Sequence, residues 1–372
     1  MTSQAFCVLD QRLSTRQQAE ALQLMGATHI RDASGTRPLD NGRDVEEGDA
    51  LVMLTSGSSG TPKAAVHTWA SLVASARITQ ESLRGDTPRV WLPCLPAAHI
   101  GGLAVLLRSV LSDADLRFSD DINAGPSLGA THISVVRTQL VRHDLSQYQT
   151  VLVGGAKPPG DLPSNVIATW GLTETGSGIV YNGTPLEEVD VVSINGELCV
   201  RTPTLFRTYR DAARPEVFDE QGAAWYPTGD GGTVTDGVVA VRGRLGSVIN
   251  TGGEKVWPED VEAAIATIEG ISEVAVTGVA DPEWGQRVVA LIVARESQDD
   301  AIRAIVSDRL GPWAKPKEIR YVAALPRTSN GKIRRDALEF LHQSEIPRPK
   351  PGAVFPRGYC ELLVESRNGA QQ

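Results

Sequence analysis

The segment Thr55–Lys63 reads TSGSSGTPK and follows directly on the apolar run Ala50–Leu54. Glycines let a backbone approach a ligand closely. Its N–H groups and hydroxyls then donate, and a lysine adds positive charge, which is the chemistry of holding phosphate. Ala50–Leu54 reads as a buried strand and Ala64–Leu83 as a helix, so the loop sits between the two elements that flank many phosphate sites. The spacing is not the Walker pattern, because Gly57 and Gly60 are three apart and Lys63 follows Thr-Pro. Taken alone, the segment serves equally well as a glycine- and serine-rich surface turn.

Four further segments carry chemistry: WGLTET at 170–175, YPTGD at 226–230, GRLGSVINTGGEKVWPEDVE from Gly243, and PRTSNGKIR at 326–334. Each has a plain reading by itself. Glu174 could be a solvated loop carboxylate, Gly229-Asp230 a common turn, and Lys332 a surface lysine. In this order and approximate spacing, however, the five segments resemble the adenylate-forming superfamily of acyl-CoA synthetases, luciferases and nonribosomal adenylation domains. The resemblance runs from about Leu51 to about Leu338. It implies an α/β fold: a large N-terminal α/β-sheet domain with a small β-barrel-like part, then a mobile α+β C-terminal domain. It also implies two steps. A carboxylate attacks the α-phosphate of ATP to give acyl-AMP and pyrophosphate, and the thiol of coenzyme A then displaces AMP.

The resemblance assigns roles to individual residues. Thr55, Ser56, Gly57, Ser58, Ser59, Gly60, Thr61 and Lys63 would surround the β- and γ-phosphates. Thr173 would hydrogen-bond the α-phosphate, and Glu174 would ligate Mg2+. Asp230 would accept from both ribose hydroxyls, which suits a carboxylate, and Arg244 would donate to the ribose. Gly154, Gly155 and Ala156 would flank adenine, although a plain strand-ending turn fits them nearly as well. Trp170 stands where relatives have an aromatic residue stacking near adenine. Lys332 would reach the α-phosphate and the attacking carboxylate, a point-charge task that suits an ammonium. Closure of the C-terminal domain would deliver it. A later rotation, pivoting at Gly246, would remove it. Many relatives carry Asp or Lys at that pivot, and a glycine there tolerates a large backbone change. Gly252 and Gly253 would line the thiol tunnel.

Only 54 residues precede the loop, few for this superfamily. That brevity, with WGLTETGSGIVYNGTPLEEVDV and LPAAHIGGLAVLLRSV, resembles the o-succinylbenzoate–CoA ligases of menaquinone biosynthesis. An aromatic acid with a second carboxylate needs an apolar slot and donors for the carboxylate that does not react. His99 and Arg137 are candidates for those donors, Arg137 being equally an ordinary surface arginine at a strand end. Gly176 and Ser177 would form a small-walled floor. Another aryl- or acyl-CoA synthetase, or an amide-forming ligase of the same superfamily, is the alternative. A P-loop phosphotransferase lacks its GK[ST] ending here, and a catalytically dead scaffold would not be expected to keep Glu174, Asp230, Arg244 and Lys332.

The elements that must position these groups follow from the apolar pattern. Residues 11–28 read as a helix, Leu103–Leu111 as a buried helix, and Arg89–Leu92, His132–Val136 and Thr150–Val153 as strands. This alternation predicts a largely parallel sheet. Short strands between turns such as Asn195-Gly196 and Asp236-Gly237 then predict hairpins. A further α/β stretch follows, with helices over Pro258–Ile268, Asp299–Leu310 and Lys332–Leu341 and strands over Val274–Val279 and Val288–Ala294. We therefore expect a core over 1–245, a mobile domain over 246–345 and a tail over 346–372. A chain of 372 residues is long for one core. A net charge of −9 argues against a nucleic-acid partner. The scattered cysteines Cys7, Cys94, Cys199 and Cys360 fit neither a zinc site nor a disulfide framework. No apolar run is long enough to span a membrane, and a cytoplasmic enzyme is expected. Its partners would be a small carboxylic acid, ATP and CoA, and homodimers are frequent in that branch.

Overall fold

The protein is described here by a computed structural model covering residues 4–55, 62–83, 89–112, 114–155, 162–327, 333–335, 337–338 and 341. The chain divides into two compact units, one running to Val241 and the other starting at Arg242.

The first unit is built around a seven-stranded sheet. Its order is Thr184–Pro185, Ser177–Tyr181, Val166–Leu172, Thr150–Gly154, His132–Val136, Val90–Leu92 and Asp115–Leu116. The last five strands are parallel, and Ser177–Tyr181 and Thr184–Pro185 add an antiparallel edge. Parallel strands covered on both faces read as unbroken apolar runs, as Val151, Leu152 and Val153 do. Helices Trp69–Ser82 and Ile100–Leu111 pack here: Ile78 and Val105 share a buried cluster with Trp91, Leu152 and Ile179. The expected hairpins form a separate, antiparallel sheet of Asp190–Ile194, Glu197–Arg201, Ala224–Thr235, Val217–Phe218 and Val238–Arg244.

One element differs from expectation, and it changes the reading of the glycine-rich loop. The helix expected over Ala64–Leu83 begins only at Trp69, capped by the Thr68 hydroxyl, which accepts from Ser71 N–H. Lys63–Thr68 is a strand, antiparallel to Asp49–Thr55 with Thr55 opposite Lys63. Ala64, Ala65 and Val66 are buried there between two partner strands, Asp49–Thr55 and Thr208–Tyr209. Pairing on both sides overrides the helix preference of the alanines. The loop thus joins two antiparallel strands rather than opening a helix, so no helix dipole is available to bound phosphate at that point.

The hairpin is tied down by Arg207, which pairs with Asp49 and, at the surface, with Glu46. Arg207 donates to both oxygens of Asp49 at 2.8 Å from Nε and Nη2, and its own N–H bonds the Val66 carbonyl at 2.8 Å. Asp49 is buried.

The second unit has a sheet ordered Glu254–Val256, Ile249–Thr251, Gly285–Ala294, Ile271–Asp281, with Glu318–Tyr321 parallel to Gly285–Ala294. The two longest strands form one hairpin, so the strands expected at Val274–Val279 and Val288–Ala294 extend further than the apolar pattern alone indicates. Helices Pro258–Ile265 and Asp299–Leu310 bury Val261, Ile265, Ile302 and Val306 against it. The helix expected over Lys332–Leu341 falls largely outside the described residues, as do the tail and the site residues Ser56, Gly57, Ser58, Ser59, Gly60, Thr61, Ala156 and Lys332.

Removing Arg207 strands the buried Asp49 carboxylate. Arg207→Met should destabilise the protein by about 3 kcal/mol in urea titrations. Adding Asp49→Asn should recover much of the loss. A single variant as stable as the wild type would show that the pair does not hold the hairpin.

Candidate active site

Three groups of the expected residues come together in the first unit. The first surrounds Glu174. The one-turn helix Thr173–Thr175 follows the strand Val166–Leu172, and Thr175 closes it: its buried hydroxyl accepts from Leu172 N–H and donates to the Ser177 carbonyl, both at 2.8 Å. Glu174 is 8 % exposed, and its Oε1 accepts from the Tyr209 hydroxyl at 2.9 Å. Tyr209 lies 3.1 Å, oxygen to oxygen, from Tyr226, and Lys63 Nζ stands 5.0 Å from the centre of the Tyr209 ring. One tyrosine thus links the lysine of the loop hairpin to the carboxylate expected to hold Mg2+. Thr55, opposite Lys63, is buried.

The arrangement fits Mg2+ of a particular kind. Among the described residues there is no cluster of three or more metal-ligating side chains. A single carboxylate steadied by a neutral hydroxyl suits a cation that arrives on phosphate oxygens and keeps water ligands.

His67 fixes the Thr173 turn from behind. It is fully buried, and its Nε2 lies 2.8 Å from the Thr173 carbonyl oxygen. A carbonyl can only accept, so Nε2 carries the proton and Nδ1, 3.3 Å from Ser71 Oγ, is the acceptor nitrogen. Burial pushes the His67 pKa down to about 4. The ring is therefore neutral.

The second group is Trp170 and Asp230, joined directly: the indole Nε1 donates to Asp230 Oδ2 at 2.8 Å. Asp230 is buried in the long strand Ala224–Thr235.

The third group contains a residue that the sequence reading did not single out. Arg108, on helix Ile100–Leu111, is 3 % exposed. Its Nη2 donates to Ser177 Oγ at 2.9 Å, and its guanidinium lies 4.7 Å from the centre of the Trp91 ring. Nη1 is buried and has no hydrogen-bond partner. Among the described residues no carboxylate pairs with it. His132, which packs on the same tryptophan, is held down to about pKa 4 by burial and by the positive Arg89 and Arg108, and is neutral too. Arg108 lines a small cavity with Leu72, Ser75, Ala76 and Gly176. Gly176 turns the chain there with φ +70°, a conformation that suits glycine. Gly176 and Ser177, the expected floor, therefore lie beside an unpaired buried cation. The signal was present in the sequence: IGGLAVLLRSVL is a twelve-residue helix with one charge, set among apolar neighbours.

The other candidates are more dispersed. His99 caps helix Ile100–Leu111, half-exposed, within 3.3 Å of Arg12 Nη2 and 3.7 Å of Asp10 Oδ2. Arg137 opens the short helix Arg137–Arg142 and is exposed, as the surface reading of that residue has it. Gly154 ends its strand, and Gly155 follows with φ +82°. In the second unit, Arg244 ends the strand Val238–Arg244, and Gly246 lies in the single turn Leu245–Ser247. Gly252 and Gly253, at φ +60° and +87°, make the two-residue turn between Ile249–Thr251 and Glu254–Val256, where side chains are disfavoured.

A family model for AMP-binding enzymes matches residues 7–210, and one for the AMP-binding enzyme C-terminal domain matches residues 260–332. A probable 2-succinylbenzoate–CoA ligase of Mycobacterium tuberculosis is 36% identical over 331 residues, covering 80% of this chain and 85% of that protein. A 2-succinylbenzoate–CoA ligase of Listeria monocytogenes is 32% identical, over 79% of this chain and 70% of its own. Among solved structures, wild-type E. coli MenE with a bound analogue of OSB-AMS is similar with a TM-score of 0.63 and 28% identity, covering 83% of this chain and 73% of that one. The Bacillus subtilis o-succinylbenzoate CoA synthetase in complex with its acyl-adenylate intermediate shares the fold at a TM-score of 0.68 and 24% identity, over 84% and 73%. Among the described residues no helix is long and apolar enough to cross a membrane.

The buried neutral His67 sets a dependence on pH. An unfolded histidine titrates near 6.5, and the folded one near 4. Between these values the unfolded chain binds a proton that the folded chain refuses, so stability is full above pH 6.5 and falls as pH drops toward 4. The loss at this site is at most about 1.4 kcal/mol per pH unit. His67→Gln keeps a donor for the Thr173 carbonyl and should flatten the urea-derived stability curve over that window. Equal slopes in the two proteins would refute the assignment.

Proposed function

The chain belongs to the AMP-binding enzyme family, and from that premise we propose that it is a 2-succinylbenzoate–CoA ligase, consuming ATP and forming AMP. The observation that carries the choice of acid is Arg108, a buried guanidinium with no anionic partner among the described residues, beside Gly176 and Ser177. A monocarboxylic acid spends its one charge at the reacting end and leaves such a cation uncompensated. An acid with a second carboxylate compensates it.

In the first half-reaction an acid oxygen attacks the α-phosphorus and pyrophosphate leaves. Charge collects on the phosphates, so the site must supply donors there. Lys63 and the loop Ser56–Thr61 hold the β- and γ-phosphates, Thr173 the α-phosphate, and Asp230 and Arg244 the ribose. Gly154, Gly155 and Ala156 border the adenine. Glu174 holds Mg2+, which when bound neutralises phosphate charge. Lys332 stabilises the α-phosphate against the incoming carboxylate. In the second half-reaction the CoA thiol attacks the acyl carbonyl and AMP departs, with Gly252 and Gly253 beside the thiol and Gly246 as pivot. The product is the CoA thioester that menaquinone biosynthesis cyclises, and the cytoplasm is the compartment.

The test is a substrate panel with ATP, Mg2+ and CoA, read by AMP release. 2-Succinylbenzoate should turn over, and its analogue with the succinyl carboxylate replaced by a carboxamide should be poor. Arg108→Met should lower kcat/KM for the dicarboxylate by at least about 100-fold, and for the carboxamide far less. Turnover of benzoates or fatty acids, with silence on 2-succinylbenzoate, would reject the choice of acid.

A further inference from the structure

The geometry points to Trp170 as a positioning residue that aims the Asp230 carboxylate at the nucleotide ribose. This rests on the proposed reading of Asp230 as the ribose acceptor. By the family resemblance alone, Trp170 would be a ring stacking near adenine. The structure gives it a second task, because its polar edge is committed to Asp230 Oδ2 at 2.8 Å.

The backbone around Asp230 is set by its sheet neighbours. Asp230 N–H donates to Thr228 Oγ1 at 3.1 Å, Thr228 Oγ1 donates to the Leu198 carbonyl at 2.6 Å, and Gly229 N–H donates to Glu197 Oε1 at 2.7 Å. These bonds fix where the Asp230 side chain starts but not how its carboxylate is turned. The indole N–H acts on that rotation through its bond to Oδ2. Trp170 can do so because it is itself immobile: it sits in the register of Val166–Leu172, opposite Val180, and its ring packs on the main core cluster.

The chemical character of the donor matters. A lysine or arginine there would pair with Asp230 and offset the charge that ribose hydroxyls need. An indole is a neutral donor with one N–H. It can orient a carboxylate without bringing a charge of its own. In a buried setting, a hydrogen bond to a charged group is among the stronger kinds.

The experiment is calorimetric binding of AMP and 2′-deoxy-AMP, with no acid substrate present, to the wild type, Trp170→Phe, Asp230→Asn and the double variant. Trp170→Phe keeps an apolar ring and removes only the donor. It should weaken AMP about tenfold and largely erase the preference for AMP over 2′-deoxy-AMP. Asp230→Asn should do the same, and the double variant should be no worse than Asp230→Asn alone. A Trp170→Phe protein that keeps the wild-type ribose preference overturns the inference and leaves the ligase reading intact. A wild type without ribose preference removes the premise, and the inference with it. If Trp170→Phe does not fold, the indole N–H resonances of the protein's seven tryptophans give a second readout. One of them should shift strongly between wild type and Asp230→Asn, and none doing so overturns the inference.

Discussion

The constraint on which the site depends is an uncompensated charge. Helix Ile100–Leu111 carries Arg108 into the interior, where a serine hydroxyl and the face of Trp91 are its partners and, among the described residues, no carboxylate is. Burying an unpaired guanidinium costs several kcal/mol after relaxation. Replacing such a buried charge by an apolar side chain of similar volume is often neutral or stabilising. On the proposed reading the acid's second carboxylate compensates that charge, and Gly176 lines the small cavity beside it.

The rest of the first unit holds short polar turns in register against a stiff sheet. The Thr173–Thr175 turn is held by Thr175 from within and by neutral His67 from behind. Glu174 is steadied by Tyr209, which also lies beneath Lys63. Tyr209 belongs to a strand of two residues paired with the loop hairpin, and Arg207, two residues earlier, clamps that hairpin through Asp49. The loop hairpin, the acidic turn and the Tyr209 strand are therefore one connected piece of structure. A shift in one is felt at the others through a few hydrogen bonds.

Much of this was legible in the sequence. The parallel strands Val90–Leu92, His132–Val136 and Thr150–Gly154 announced themselves as apolar runs, whereas Val166–Leu172 and Asp115–Leu116 did not, and Asn195-Gly196 marked its hairpin, with both residues at positive φ. The five motifs point to nucleotide residues because each motif pairs a turn with a donor or carboxylate, and on the proposed reading those residues surround ATP. Three features were hidden for physical reasons. Ala64, Ala65 and Val66 look helical locally, and only pairing with strands on both sides makes them a strand. Arg108 sits 69 positions from Ser177, so its partner is invisible in a linear window. Trp170 was read by its ring, while the contact that defines it here runs through its N–H to a residue 60 positions on.

The most direct measurement compares thermal unfolding of wild type and Arg108→Met, each with and without 2-succinylbenzoate and a non-reactive ATP analogue. If Arg108 is a charge retained for its ligand, the variant should melt higher than the wild type without ligand, by about 1–4 kcal/mol of stability. The acid should stabilise only the wild type. A variant that melts well below the wild type and is still stabilised by the acid would contradict the account.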